Sequence, residues 1–367
     1  MLCAMADAEG KQAPIRLERG DPAPWFRAPA VGGRADYAFD TVAGRHVLML
    51  FFDSASRPEV RKALGAIANS RSLFDDVNAS FFGVTSDLSD AESGRIHQQL
   101  PGIRFFVDPE RKVSRTYGAA SRPQWMLLDP TLRVLAMFAL DEDEAAIAAL
   151  RSELDARSTD AWAPVLMIPN VLPLDLCDQL IADYETNGGT PSGFMREVEG
   201  KTSLVVDDNH KMRRDWEVQN QSLRDLIARH VSRHLKVPVK RAFQFEATRM
   251  ERYIVACYEA GAGHFRPHRD NTTKGTSHRR FAVTINLNGD EFDGGDLRFP
   301  EFGQRTYRAP KGGAIVFSCS LLHEATPVTR GKRYAFLPFL YDEAAAAQRE
   351  ANNQYLDPNV GEYSRQA

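Results

Sequence analysis

The chain has 367 residues, 43% of them hydrophobic and 26% charged, with a formal net charge of -3. That length exceeds one ordinary core and suits two domains. The near-neutral balance gives no electrostatic case for nucleic acid or an anionic membrane surface as a partner. No run approaches the roughly 18 apolar residues of a membrane span. The opening MLCAMADAEGKQ lacks the basic-then-apolar order of a secretory leader, so a cytoplasmic address is expected. Cys3, Cys177, Cys257 and Cys319 form no CxxC pair, which argues against a zinc cage or a disulfide framework. Three buried thiols and one loose N-terminal thiol are expected.

After an N-terminal arm, residues 1–16, Val47 to Phe52 (VLMLFF) predicts a central strand buried on both faces. Pro58 to Phe74 carries helical spacing at Val60, Leu64, Ile67 and Leu73. A strand follows at Phe81 to Thr85, then a polar helical stretch near Asp90 to Gln99, then a strand at Ile103 to Asp108. Trp125 to Asp129 and Val134 to Leu140 predict an antiparallel pair turning at Pro130-Thr131-Leu132. An acidic start at Asp141 to Glu144 opens a helix to about Ala156. This alternation predicts an α/β sandwich.

The seam falls at Arg157 to Pro164 (RSTDAWAP), polar and holding a proline. Beyond it, Leu174 to Thr186 and Gln221 to Leu235 predict amphipathic helices. From Phe243 the strands are short and separated by Gly-rich and Asp-rich turns, as in a barrel or jelly roll. Residues 344–367 form a tail that begins as an Ala-rich helix and ends polar.

The chemistry concentrates in this second half. In a strand, residues i and i+2 share a face, so His268 and Asp270 can reach a common point. His323, at the end of an apolar strand, is the candidate for a third ligand. Two histidines and one carboxylate suit ferrous iron with three positions left open. An isolated HxD occurs often by chance, as a solvated pair at a strand end. Arg333 lies on the next strand, where antiparallel pairing would bring it beside His323. A guanidinium inside a barrel needs an anion, either a structural acid or a bound carboxylate held bidentately. His264 has strand parity with His268, with surface or supporting placement favoured over a ligand role. His278, in the polar stretch NTTKGTSHRR, is expected to face solvent. Gly294 and Gly295 read as a turn that brings one strand close to its neighbour.

Three blocks then stand in order: VACYEAGAGHFRPHRDN, INLNGDEFDGGDLRFPEFG and GGAIVFSCSLLHEATPVTRGKRYAF. Together they resemble the iron- and 2-oxoglutarate-dependent dioxygenases of the prolyl 4-hydroxylase type, over roughly Ala163 to Tyr341. The resemblance implies a double-stranded β-helix over residues 163–343. It implies His268, Asp270 and His323 as iron ligands and as the catalytic group. Arg333 would hold the distal carboxylate of 2-oxoglutarate, and Tyr258 would hydrogen-bond the same co-substrate. Asn286 stands where relatives have a second co-substrate tyrosine. The implied cofactors are Fe(2+), 2-oxoglutarate and O2, with L-ascorbate as reductant. Retention of Asp270 argues against halogenation, since related halogenases replace that carboxylate.

In the first half, GDPAPWF, the VLMLFF strand, DPERKVSRTYG and WMLLDP resemble the AhpC-type peroxiredoxins of the thioredoxin-like fold, over residues 17–157. Such a peroxidase needs a low-pKa thiolate at the helix start after the first central strand. That turn here reads FFDSASRPEV, with Ser54, Ser56 and Pro58 and no cysteine. The supporting arginine is replaced by Pro123, which matches the thioredoxin-like cis-proline. A redox-inert module for docking or substrate presentation is expected. Lys211-Met212-Arg213-Arg214 reads as a charged loop, either solvated or a lid, and Asn271 to Arg280 as a second candidate wall of the substrate opening.

The sequence therefore predicts a dioxygenase that hydroxylates a prolyl or other side chain of a peptide or protein and releases succinate and CO2. Hydroxylation of a free small molecule and a non-catalytic scaffold are the alternatives. A thiol peroxidase is disfavoured by the missing cysteine.

Overall fold

A computed structural model describes residues 17–156 and 161–364. The N-terminal arm with Cys3, and residues 157–160 of the seam, lie outside the described residues. Two compact units are formed, Met1–Ala161 with Pro300–Gly303, and Trp162–Phe299 with Gln304–Ala367. Among the described residues no helix is long and apolar enough to cross a membrane.

The first unit is a five-stranded sheet built on β1 (His46–Phe52), β2 (Ala79–Thr85), β3 (Ile103–Val107), β4 (Gln124–Leu128) and β5 (Val134–Ala139). Its order is β3-β2-β1-β4-β5, parallel from β3 to β1 and antiparallel beyond. Every residue of β1 is buried, as its unbroken apolar run predicts. Leu48, Leu50 and Phe52 face α1 (Pro58–Asn69) and α2 (Asp143–Asp155). On the opposite face Phe51 meets Tyr117, and Phe82 stacks on Phe106 at 5.4 Å. Alternation along one strand thus builds two different layers, one mixing aliphatic and aromatic side chains against the helices and one of stacked aromatic rings opposite.

Two expectations fail in this unit. The polar stretch near Asp90 to Gln99 is helical only over Ser89–Glu92. Asp90 is buried there, accepting hydrogen bonds from the Ala55 amide, Thr85 and Arg95, so local bonding to side chains and loop backbone displaces a longer helix. The cis X-Pro bond is Leu100-Pro101, and Pro123 follows an ordinary trans bond. Directly before a strand, proline's fixed φ needs no cis geometry.

The second unit is a jelly-roll arrangement of two antiparallel sheets preceded by α3 (Leu174–Asn187) and α4 (Gln221–Phe243). The larger sheet contains β6 (Arg214–Glu217), β7 (Ile254–Glu259), β9 (Phe281–Asn286), β10 (Ala314–Ser318), β12 (Lys332–Phe336) and β13 (Phe339–Tyr341); the smaller contains β8 (His264–His268) and β11 (His323–Ala325). Asn220 caps α4 by accepting from the Leu223 amide at 3.1 Å. The helix buries Leu223, Ile227, Val231, Leu235 and Val239 at a spacing of four, giving one apolar stripe over the larger sheet. It runs eight residues past the predicted end, through Pro238. The proline removes one backbone bond, while burial of Val239 beyond it favours continued helix. Cys177, Cys257 and Cys319 are free and buried, as expected.

Candidate active site

β8 and β11 are antiparallel neighbours in which His268 lies directly opposite His323. Asp270 follows β8 by two residues, its amide donating to the Cys319 carbonyl at 3.0 Å. Asp270 Oδ1 stands 3.6 Å from His268 Nε2, and Oδ2 stands 3.3 Å from His323 Nε2. One ligand atom from each residue falls within 4.8 Å of the others. The Nδ1 atoms are engaged elsewhere. That of His268 lies 2.8 Å from the Arg266 carbonyl, and that of His323 lies 3.0 Å from the Leu321 carbonyl. Each ring therefore donates through Nδ1 to its own chain and turns Nε2 toward Asp270.

Electrostatics favour the ligand state. Burial pushes His323 down to about 4, with His268 adding to the effect, so its imidazole is neutral at neutral pH. Burial pushes the Asp270 carboxyl up, but His323 and the His268 hydrogen bond outweigh it and hold the group below the ordinary carboxylate range.

The triad opens on a cavity whose walls include Arg213, Arg252, Tyr258, Thr284, Phe317, Arg333 and Phe339. Arg333 does not lie beside His323 as expected. It sits on β12 in the larger sheet, paired with Tyr258 of β7. The chain leaves the smaller sheet through Val328–Arg330, which pairs with Asp293–Gly294, before entering β12. Arg333 and His323 thus meet across the interior of the roll.

Arg333 is only 2% exposed, and its Nη1 has no partner. Its guanidinium lies 5.0 Å from the Tyr258 ring, and burial lowers its pKa. A buried guanidinium with an unpartnered Nη1, in a cavity that also holds two imidazoles and a carboxylate, fits a diacid whose other end reaches a metal. The turn at Gly294-Gly295 brings backbone close, as the sequence predicts. Gly295 has φ +67°, and a Cβ there would stand 2.8 Å from Val328 Cγ2 and 3.1 Å from Arg333 Cδ.

The remaining candidates separate. Tyr258 lines the cavity and accepts from Arg213 Nη1 at 3.0 Å. Asn286 is buried, but its amide donates to the Ala309 carbonyl at 2.7 Å and it is not among the cavity-lining residues. His264 turns to the carbonyls of Ala262 and Asn209. His278 does not face solvent. It is 1% exposed and lies 3.2 Å from Glu251, which also receives Arg279 and Arg349 at 2.7 Å each. The charged groups of Arg279 and Arg349 draw this polar segment inward.

Sequence reasoning missed the basic wall of the cavity. Lys211-Met212 pairs with β8, and Arg214–Glu217 pairs with β7, so the stretch is sheet, not loop. Lys211 and Arg213 are buried, with Arg213 Nη2 donating to Asp215 at 2.7 Å. The i, i+2 spacing of Lys211, Arg213 and Asp215 was the available signal.

Comparison with known proteins follows this geometry. Residues 253–341 match the 2OG-Fe(II) oxygenase superfamily, and residues 19–143 match the AhpC/TSA family. The C-terminal half carries a 2OG-Fe(II) oxygenase domain. The N-terminal half carries an AhpC/TSA-type thioredoxin-fold domain. A PKHD-type hydroxylase from Synechococcus is 29% identical over 183 residues, covering 47% of this chain and 75% of that protein. A PKHD-type hydroxylase from Cupriavidus metallidurans is 38% identical over 87 residues, covering 21% of this chain and 38% of that protein. Among solved structures, a Pseudomonas putida prolyl-4-hydroxylase aligns at 19% identity and TM-score 0.38, covering 53% of this chain and 99% of that one. The oxygenase superfamily implies Fe(2+), 2-oxoglutarate and O2, and the donor set described above fits them.

At the corresponding turn of the AhpC/TSA-type domain, Ser54 hydrogen-bonds Asp87 at 2.7 Å. The described cysteines all lie in the other unit. Burial pushes the thiols of Cys177 and Cys257 up to about 11, away from the thiolate that peroxide reduction needs.

Proposed function

We propose that this protein is an Fe(II)- and 2-oxoglutarate-dependent dioxygenase that hydroxylates a prolyl or other side chain of a peptide or protein, with succinate and CO2 as co-products. The observation that carries the reading is the pairing, within one cavity, of the His268–Asp270–His323 cluster with the buried guanidinium of Arg333, whose Nη1 has no partner. His268, Asp270 and His323 would hold the iron, and Arg333 the distal carboxylate of 2-oxoglutarate. When bound, iron with 2-oxoglutarate and O2 supplies the oxidising power.

The chain's own part is positional. The carbonyls of Arg266 and Leu321 fix which nitrogen each imidazole presents. Arg333 orients the diacid, and Tyr258, held by Arg213, offers a hydroxyl beside it. Asn286 does not line the cavity and spends its amide on the Ala309 carbonyl, which argues against the co-substrate contact expected for it. Phe265, Phe317 and Phe339 wall the cavity against water. L-Ascorbate serves as reductant and the cytoplasm as location in this reading. The domain layout is an arm at 1–16, a redox-inactive thioredoxin-like domain at 17–157, the dioxygenase at 163–343 and a tail at 344–367.

The test is succinate release from 2-oxoglutarate by the full chain with ferrous iron and no added substrate. Slow uncoupled turnover is expected, and its complete absence in iron-loaded protein would overturn the proposal.

A further inference from the structure

The reading above uses only one of the three arginines that line the cavity. Arg213 is neutralised, with its Nε 2.7 Å from Asp215 Oδ1, its Nη2 donating to Asp215 Oδ2 at 2.7 Å, and its Nη1 donating to Tyr258. Arg252 is not. Among the described residues its one acid ion pair is with Asp215 Oδ2, to which its Nη2 donates at 3.4 Å. That oxygen already accepts from Arg213 and from Ser192. Lys211 is buried nearby and donates to Ser192 and the Gly193 carbonyl. A single carboxylate therefore faces two guanidinium groups and an amine.

In the loaded site the other carboxylates are already engaged. Asp270 belongs to the metal. A diacid that reaches the metal with one carboxylate and Arg333 with the other has no third carboxylate for Arg252. Nor do the two arginines share a location on the wall. Arg333 pairs with Tyr258 near one end of β7, and Arg252, at φ 68° just outside the strand, precedes the other end. Burial lowers Arg252 to about 10 despite Asp215, as expected for a cation short of counter-charge. Its side chain keeps 27% exposure and lines the cavity, with the guanidinium 5.5 Å from the Phe339 ring. A cation left in this setting is costly until an anion arrives.

We propose that Arg252 receives a carboxylate of the substrate, so that the molecule oxidised is an acid anchored by its own carboxylate while a nearby carbon faces the His268–Asp270–His323 cluster. The proposal rests on the dioxygenase reading and narrows its substrate class. The carboxylate can come from a free amino acid, a peptide C-terminus or an acidic side chain. All three present the planar pair of oxygens that an arginine fork matches.

The experiment uses the full chain with ferrous iron, 2-oxoglutarate and ascorbate. Succinate release is measured with free L-amino acids, and with proline-containing tetrapeptides made with free or amidated C-termini, with and without an internal aspartate. Acids are expected to stimulate succinate release and gain one oxygen atom by mass spectrometry, while their amidated, acid-free counterparts are not. The peptide pairs separate a terminal carboxylate from a side-chain one. In Arg252→Gln, KM for the stimulating acid should rise by at least about tenfold, with KM for 2-oxoglutarate moving far less, and Arg252→Lys should recover part of the loss. A near-ultraviolet circular dichroism spectrum matching the parent shows that each variant folds. Equal stimulation by acids and amides, stimulation by no acid, or an unchanged KM in Arg252→Gln would each overturn the proposal. Absence of even uncoupled succinate would instead count against the dioxygenase reading itself.

Discussion

His268 and His323 are register partners on adjacent antiparallel strands, their ring centroids 4.3 Å apart, and each Nδ1 is bound to the carbonyl two residues before it. Two neighbouring strands thereby deliver two identical donors by the same local device. The first prediction concerns these donors. His268→Ala, Asp270→Ala and His323→Ala should each lower succinate release by at least about 100-fold. Bound iron, measured by a colorimetric chelator after desalting, should fall in parallel. Retention of both iron and turnover in any one variant would remove that residue from the ligand set.

Arg333→Met preserves much of the side-chain bulk and removes the charge. Loss of a charge-assisted contact is worth about 1.5–3 kcal/mol, so KM for 2-oxoglutarate should rise roughly 10- to 100-fold. Folding should survive, because the guanidinium leaves Nη1 unpartnered in the protein as it stands. Titration of 2-oxoglutarate binding in the presence of the metal measures this directly.

The metal-free protein should lose stability in mild acid. His323 is lowered in the folded state to about 4, against 6.5 for the free imidazole. Between these values the unfolded chain binds the extra proton, so folding stability rises with pH across that window. The His323 contribution is complete above pH 6.5 and is lost as pH falls toward 4. Urea midpoints of the parent and His323→Ala, compared across that range, should converge at the acid end.

Glu251 gathers His278, Arg279 and Arg349 at one buried carboxylate. Glu251→Gln leaves Arg279 and Arg349 without their acid and should cost about 3–5 kcal/mol. Denaturant unfolding checks the value. Arg279 also donates to the Asp270 backbone carbonyl at 3.4 Å, so weakened iron retention is expected alongside.

Peroxide reduction should be absent. Cys177, Cys257 and Cys319 are buried, and burial raises all three thiols. Native alkylation should leave them unmodified, and peroxide should persist in the presence of a dithiol reductant. Consumption of peroxide at a rate dependent on any of these cysteines would contradict this.

Legibility followed burial and spacing. The unbroken apolar run at Val47 to Phe52 announced a central strand, and the HxD spacing placed two side chains on one face. Less visible were features that depend on what the chain meets in three dimensions. Charged Lys211 and Arg213 look like solvated loop residues until β7 and β8 supply strand partners. His278 sits among polar neighbours in sequence, yet Glu251 draws it inside. Pro238 marks a helix end by local rules, yet Val239 anchors the next turn in the core. The partnership of Arg333 with Tyr258, and not with the His323 strand, required knowing which sheet each strand joins.

Gly295 gives the oxygenase domain a vulnerable hinge of tolerance. Its bare α-carbon lets Arg333 and Val328 lie flat against the turn, so even a single methyl group there would wedge the guanidinium stem sideways. Such a change touches none of the proposed ligands, yet in the proposed reading it would loosen the hold of Arg333 on the diacid.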